Sequence, residues 1–200
     1  AYAGAVSTRT LPPLPGAAGT PAALSVSTGG VAWTWTAAAD ATGYRLVLAT
    51  KAAETLATPA TNGQALALGP NEPSAVAVRG ENATGSGPLS AGATVYTLAR
   101  DPASLTVTAV SSAAVALSWG ANGNPAGTLY ELESSTDGAA YALALSTTGT
   151  AASPALSAST TYFFRVRAKN GDAVATAYAA AVSTRTLPPA PGAPGTPGGT

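Results

Sequence analysis

The chain has 200 residues, of which 46% are hydrophobic and only 9% are charged, whereas about 25% of residues are charged in ordinary globular domains. Nine basic and nine acidic side chains balance, so the sequence offers no electrostatic reason to bind nucleic acid or an anionic membrane. It contains no run of 18 apolar residues, so no membrane-spanning segment is expected. Cysteine, methionine and histidine are absent, which excludes disulfides, thiolate nucleophiles and imidazole-based catalysis or zinc ligation.

The sequence contains an internal repeat. Residues 1–21 recur as residues 177–197 with only three differences, which gives a period of 176 residues. A copy at a fixed offset is the signature of a repeat array. We therefore expect the sequence to be a window on a longer chain, in which residues 1–10 are the final strand of a preceding repeat.

Residues 11–21 are rich in proline, with Pro12, Pro13, Pro15 and Pro21. Proline fixes φ and removes a backbone donor, so this stretch cannot join a sheet as a central strand. The sequence predicts an extended, partly polyproline II linker that acts as a semi-rigid spacer.

Residues 22–98 show the period-two alternation of β-strands, most clearly in Val31–Thr36. Short alternating runs are separated by turn residues every 8–12 positions, which indicates seven strands in a β-sandwich. Within this region, Asn62–Gly63 predicts a turn and residues 65–68 predict a strand.

The pattern restarts after a short junction at residues 99–102. Residues 103–187 predict a second sandwich, and residues 188–200 predict a second proline- and glycine-rich linker. No stretch keeps a period of 3.6, so no helix is expected. The predicted fold class is therefore all-β, with two tandem immunoglobulin-like sandwiches.

The sequence resembles the fibronectin type III family, and a small set of aromatic residues carries that resemblance. The core tryptophan that the family has on its second strand is matched in both halves, and so is the tyrosine on its third strand. The matching residues are Trp35, Trp119, Tyr44 and Tyr130. The resemblance implies a tandem sandwich fold with these side chains in the core, and it implies little about function, because this fold hosts many roles.

The family also has a tyrosine corner, which the two halves treat differently. Leu156, Thr160 and Tyr162 fit the spacing of that corner in the second half. The first half has Ser74 where the tyrosine would stand. The resemblance therefore implies a core position for Tyr162 and a missing corner hydrogen bond in the first half.

The closest pair of carboxylates, Glu131 and Glu133, does not point to catalysis. Both lie on the outward face of a predicted strand. The resemblance implies that this third strand neighbours the sixth, whose outward residues are Arg165 and Arg167. We expect cross-strand ion pairs there. We expect no catalytic, cofactor or metal site, because acidic ligands are too sparse for calcium.

Three short patterns resemble modification or recognition motifs. Asn82-Ala-Thr84 fits the N-glycosylation pattern, so glycans are a candidate modification, as they are at Thr20 and Thr196 beside prolines. Asn170-Gly-Asp172 is expected to be a simple turn.

The expected assembly contacts are uncharged positions on the outer sheet faces. Phe163 alternates outward in the second half, and Val47, Ala75 and Ala77 form a small apolar face in the first half. Such a face is prone to association unless it is covered. We expect neighbouring repeats of the same chain, or other copies of it, to cover it.

These features favour a structural repeat of an extracellular, cell-surface filament, stalk or sheath, of bacterial origin, rather than an enzyme. Residues 1–10 would complete a preceding domain of the same chain or be donated to another copy, with the first alternative favoured. The rival hypothesis is an adhesin, a carbohydrate-binding module or a spacer of a larger secreted protein or enzyme.

Overall fold

A computed structural model describes residues 9–49, 55–58, 60–64 and 68–192, with the backbone alone described at 55–57 and 64. Every regular element in these residues is a β-strand, which confirms the all-β prediction. No helix in the described part of the chain is long and apolar enough to cross a membrane. The chain forms two compact units, Ala1–Leu98 and Ala99–Thr200, called here the first and the second unit.

The first unit contains two sheets. One has the order β1-β2-β5 and the other has the order β4-β3-β6, with both β7 and β8 paired to the long strand β6. Its strands are β1 (Ala22–Val26), β2 (Val31–Thr34), β3 (Gly43–Leu48), β4 (Thr55–Thr58), β5 (Asn62–Gln64), β6 (Pro73–Asn82), β7 (Gly85–Ser86) and β8 (Ala93–Tyr96).

The second unit repeats this plan. One sheet has the order β13-β10-β9 and the other has the order β12-β11-β14-β15. Its strands are β9 (Ala103–Val110), β10 (Val115–Gly120), β11 (Leu129–Ser135), β12 (Ala142–Thr147), β13 (Ala151–Ala152), β14 (Thr161–Lys169) and β15 (Val182–Arg185). All strand pairs in both units are antiparallel.

Each unit has its own core, built by the inward residues of alternating strands. On β3 and β6 of the first unit, and on β10 and β14 of the second, buried positions alternate with half-buried ones. Successive strand residues point to opposite sheet faces, so this alternation places one face of each sheet in the core. The outward faces of β3 and β6, and of β14, carry the candidate contact residues named from the sequence.

One local prediction is wrong. Asn62–Gly63 does not form a turn but lies in β5, where Gly63 pairs with Trp33. A β-carbon at Gly63 would stand 3.4 Å from the ring of Trp35, so this residue lies against the indole rather than in a turn. The predicted strand at residues 65–68 lies outside the described residues except for Leu68, which is buried in the core.

Candidate assembly surfaces

Four of the aromatic residues singled out from the sequence are core residues. Trp35 and Tyr44 meet edge to face with ring centroids 5.7 Å apart and an interplanar angle of 63°. Trp119 and Tyr130 meet in the same way at 5.7 Å and 61°. All four side chains are buried, and burial raises the pKa of Tyr130. They stabilise the two units and cannot contact a partner.

The corner positions of the two units differ as the resemblance implied. In the second unit, the backbone N–H of Ser157 donates to the hydroxyl oxygen of Tyr162 over 3.1 Å, and the ring of Tyr162 stacks on Phe164. In the first unit, Ser74 is fully buried. The indole Nε1 of Trp33 donates to its hydroxyl oxygen over 3.3 Å.

The predicted cross-strand ion pairs on the second unit are confirmed. Glu133 pairs with Arg165 at 2.7 Å, and Glu131 pairs with Arg167 at 2.8 Å. The pairs form because β11 and β14 run antiparallel with these residues directly opposite each other. Lys169 also contacts the carboxylate of Glu131.

These contacts set the pKa values of the two carboxylates. The pKa of Glu131 is lowered, first by the hydrogen bond from Lys169 and then by Arg167, against the opposing effect of burial. Burial acts to raise the pKa of Glu133, but hydrogen bonds from Tyr178 and Arg165 outweigh it and the pKa is lowered. Both groups are held as paired anions, which is the opposite of what a general acid needs.

Two tyrosines that the sequence analysis missed cover this charged face. The guanidinium of Arg165 lies between the rings of Tyr141 and Tyr178, at 4.0 and 3.9 Å from the ring centroids. The hydroxyl of Tyr178 donates to Glu133 over 2.6 Å. Their sequence signal is weak, because both stand among alanines, with no opposite charge or aromatic beside them. The charged side chains on the outer face of the second unit are therefore engaged in cation–π and charge contacts within the unit.

Phe163 lies half-buried beside this cluster. A β-carbon at Gly138 would stand 3.4 Å from its ring, and Gly138 has a φ of 73°, a conformation that favours glycine. The turn is held by Asp137, whose pKa falls to about 2 because its carboxylate accepts hydrogen bonds from Ser135 and the backbone of Ala139 and Ala140. One side of the Phe163 ring thus packs on the turn between β11 and β12.

The outer face of the first unit is different in character. Val47 lies opposite Ala77, and Ala75 lies opposite Thr94. All three candidate contact residues are half-buried. The ion pairs that the structure describes on this face lie at one end, where Glu81 contacts Arg45 at 2.8 Å and Arg79 at 3.9 Å. The hydrogen bond from Arg45 is the largest cause of the lowered pKa of Glu81.

The proline-rich segment, residues 11–21, lies against the first unit. The backbone N–H of Gly16 donates to the carbonyl of Ala39 over 3.0 Å, and that of Gly19 donates to the carbonyl of Thr36 over 3.1 Å. Pro15 is buried, and Ala18 belongs to the hydrophobic core. The segment is therefore part of the folded unit, whereas the sequence predicted a spacer.

Asn82 and its neighbours hold this segment in place. The amide nitrogen of Asn82 donates to the carbonyls of Pro13 and Asp40, over 2.6 and 2.9 Å. Thr84 donates to the carbonyl of Pro12. The backbone carbonyl of Pro15 lies 2.5 Å from where a β-carbon at Gly87 would stand. The nitrogen that an N-linked glycan would use is thus engaged in holding the chain.

Residues that could carry chemistry are few in the described part of the chain. Among the residues the structure describes, no group of three or more aspartates and glutamates could hold a metal ion. A pocket of about 250 Å³ opens beside the proline-rich segment. It is lined by Arg9, Thr10, Leu11, Pro12, Thr42 and Ala83. These residues include no carboxylate, so the pocket offers no acid–base pair.

Comparison with solved structures agrees with the fold. A two-domain fibronectin type III segment from chicken tenascin matches with a TM-score of 0.54 at 12% identity, over 84% of this chain and 97% of that one. The FN1–FN3 domains of chicken CNTN1 match over 87% of this chain and 68% of that one, with a TM-score of 0.41 at 17% identity. No protein-family model and no curated protein matches the sequence. The fold is thus a tandem of two sandwiches similar to fibronectin type III domains.

Proposed function

We propose that the chain is a structural repeat of an extracellular, cell-surface filament, stalk or sheath, with no catalytic activity of its own. The observation that carries the proposal is the recurrence of residues 1–21 as residues 177–197. Two sandwiches and one such segment make a period, and a fixed period is typical of arrays in which each unit contacts its neighbours. The partners are neighbouring repeats or other copies of the same chain.

The contrast between the outer faces of the two units supports lateral contact through the face of the first unit. The second unit closes its outer face with its own charge pairs and tyrosines, as at Arg165. The first unit exposes small uncharged side chains at Val47, Ala75 and Ala77. An uncharged sheet face costs little to desolvate, so it is the face that a neighbouring molecule would cover. Phe163 contributes at the margin of the second face.

A second candidate function is an adhesin, a carbohydrate-binding module or a spacer in a larger secreted protein. Sugar binding by such a sandwich would use exposed aromatic rings on one face. Tyr141 and Tyr178 could be such rings, but both are engaged on the guanidinium of Arg165. The structural role is therefore the better supported of the two.

The deciding experiment is electron microscopy of the native material on the surface of the producing cell. The proposal predicts regular filaments whose axial repeat corresponds to two sandwiches. A map would also locate residues 1–10, and so decide whether this strand completes a domain of its own chain or is donated to another copy. Isolated flexible particles without lateral order would favour the adhesin or spacer.

The contact face itself is tested by Val47→Lys. A buried, unpaired charge at the centre of an apolar contact is costly, so lateral association should fall by roughly ten-fold or more. The matched control is Leu143→Lys, because Leu143 is 58% exposed on the second unit and lies outside the face. Equal association of the two variants, measured by sedimentation, would exclude this face.

A further inference from the structure

The two copies of the repeated segment are engaged in complementary halves. In the N-terminal copy, Pro15 is buried against the first unit, while Thr10 is exposed. In the C-terminal copy, the equivalent of Thr10 is Thr186, which is 2% exposed. The equivalent of Pro15 is Pro191, which is exposed. Among the described residues of the two copies, 9–21 and 177–192, the proline half is buried in the N-terminal copy and the strand half is anchored in the C-terminal copy.

The strand half is anchored up to Leu187. The hydroxyl oxygen of Thr186 accepts from the backbone N–H of Thr160 over 2.9 Å. The N–H of Leu187 donates to the carbonyl of Ser111 over 3.0 Å, and its carbonyl accepts from Ser159 over 3.1 Å. The chain is thus held to the second unit through its last residue before the prolines.

The proline half begins at the very next position. Pro188 is the copy of Pro12, whose carbonyl accepts the hydrogen bond from Thr84 in the first unit. Pro189 is the copy of Pro13, whose carbonyl accepts from Asn82. No residue separates the last anchor of the strand half from the first anchor of the proline half.

We propose that residues 188–192 bind a following copy of the first unit, in the groove that residues 12–16 fill here. The groove is bounded by the loop around Ala39, by Asn82 and Thr84, and by Gly80 and Gly87. The segment then joins successive periods without a free spacer. This inference rests on the proposed tandem repetition, and it adds the partner surface and the residues that fill it.

The sequence of the C-terminal copy retains what the groove recognises. The contacts use the backbone carbonyls of two prolines, the N–H of Gly16 and the buried ring of Pro15. All are kept in residues 188–192, where the one difference is Ala190 in place of Leu14. Leu14 is 56% exposed, so its truncation removes little buried surface.

Engineered disulfides test this directly, because the chain has no cysteine. A β-carbon at Gly16 would stand 3.8 Å from that of Ala39, which is about the mean separation of 3.8 Å in disulfides. The chain with Gly16→Cys and Ala39→Cys should therefore oxidise within the molecule. If this bond fails to form, residues 12–16 do not occupy the groove and the proposal falls with them.

The decisive protein joins two periods, with residues 1–197 continued directly by residues 22–200 of a second copy. The first copy carries Gly192→Cys, and the second carries Ala39→Cys. The matched control replaces Ala39→Cys by Gly29→Cys, since Gly29 lies beyond the opposite end of β2 and a β-carbon there meets nothing within 4 Å. We expect the first pair to oxidise roughly ten-fold faster or more, because docking raises the effective concentration of the two thiols.

Adding Asn82→Ala to the second copy should bring the rate down towards that of the control. Equal rates for the two pairs would overturn the proposal, because a free spacer would bring both sites into reach alike. The result is independent of the filament. Rapid cross-linking together with an absence of filaments on the cell would support the docking and contradict the structural role. Filaments on the cell without rapid cross-linking would contradict only the docking.

Discussion

The two units place a large and a small side chain in opposite order at two equivalent core positions. In the first unit β2 carries the large Trp33 and β6 carries the small Ser74, joined by a hydrogen bond. In the second unit the equivalent positions hold Leu117 and Tyr162. The large and small partners have exchanged strands. Cores tolerate such a redistribution of large and small side chains between neighbouring positions when the surroundings repack.

The exchange also relocates the polar group. Tyr162 directs its hydroxyl to the backbone of Ser157 at the edge of the second unit, whereas Trp33 directs its N–H to a hydroxyl inside the first unit, where Ser74 is fully buried. A buried donor needs an acceptor. Ser74 is therefore a partner for the indole as well as the replacement of a missing tyrosine.

The largest expected effect comes from breaking this pair in the first unit. Trp33→Leu leaves a cavity and removes the hydrogen-bond donor of the buried Ser74 hydroxyl, which should destabilise the first unit by about 2–4 kcal/mol. The second unit should not change. Hydrogen exchange followed by mass spectrometry on peptides from each unit measures both in one sample.

The double variant Trp33→Leu with Ser74→Tyr rebuilds the pair of the second unit and sharpens the comparison. If the two positions exchange volume as argued, the double variant should recover at least half of the loss. Strictly additive losses in the double-mutant cycle would show that the two side chains do not share one space.

A smaller effect is expected in the second unit from Tyr162→Phe. The ring keeps its stacking on Phe164, but the backbone N–H of Ser157 loses its acceptor, at a cost of about 1 kcal/mol. The free energy of unfolding of the second unit should fall by that amount, with the first unit as internal reference. Tyr44→Phe is the matched control in the first unit, where the N–H of Ala38 donates to the hydroxyl of Tyr44. If both variants lowered the free energy of unfolding of the first unit alone, the hydrogen bond assigned to Tyr162 would be contradicted.

The sequence predicted what periodicity and register determine. Alternation along Val31–Thr36 was enough for that strand. The resemblance to the fibronectin type III family implied the corner position of Tyr162 and the adjacency of the strands that carry Glu131 and Arg167. These features depend on residue type at a fixed spacing, and spacing is visible in a sequence.

Features that depend on contacts between distant loops were not predicted. The prolines of residues 11–21 indicate a spacer, because nothing local reveals that the side-chain amide of Asn82, 69 residues away, donates a hydrogen bond to the carbonyl of Pro13. The same is true of Tyr178, which reaches Glu133 over 45 positions. Asn62–Gly63 indicates a turn by residue type alone, because its pairing with β2 arises only in three dimensions.

The smallest expected effect concerns the charged faces and sharpens the contrast between the units. Folding lowers the pKa of three carboxylates in the second unit, Glu131, Glu133 and Asp137, and of one in the first, Glu81. A lowered folded-state pKa contributes stability that is complete above the unfolded value, about 4.3 for glutamate, and is lost as the pH falls through the folded value. Between pH 7 and pH 3, the second unit should lose more stability than the first, by roughly 0.5–1 kcal/mol for partly exposed pairs.

The variant Glu131→Gln with Glu133→Gln removes the two carboxylates of the charge pairs and should reduce that difference to the part due to Asp137. Unfolding by urea at a series of pH values, followed unit by unit through hydrogen exchange, measures it. Added salt should reduce the difference as well, because the arginine partners are partly exposed and such pairs are screened. A difference that does not decrease in the double variant would show that the paired glutamates do not cause it.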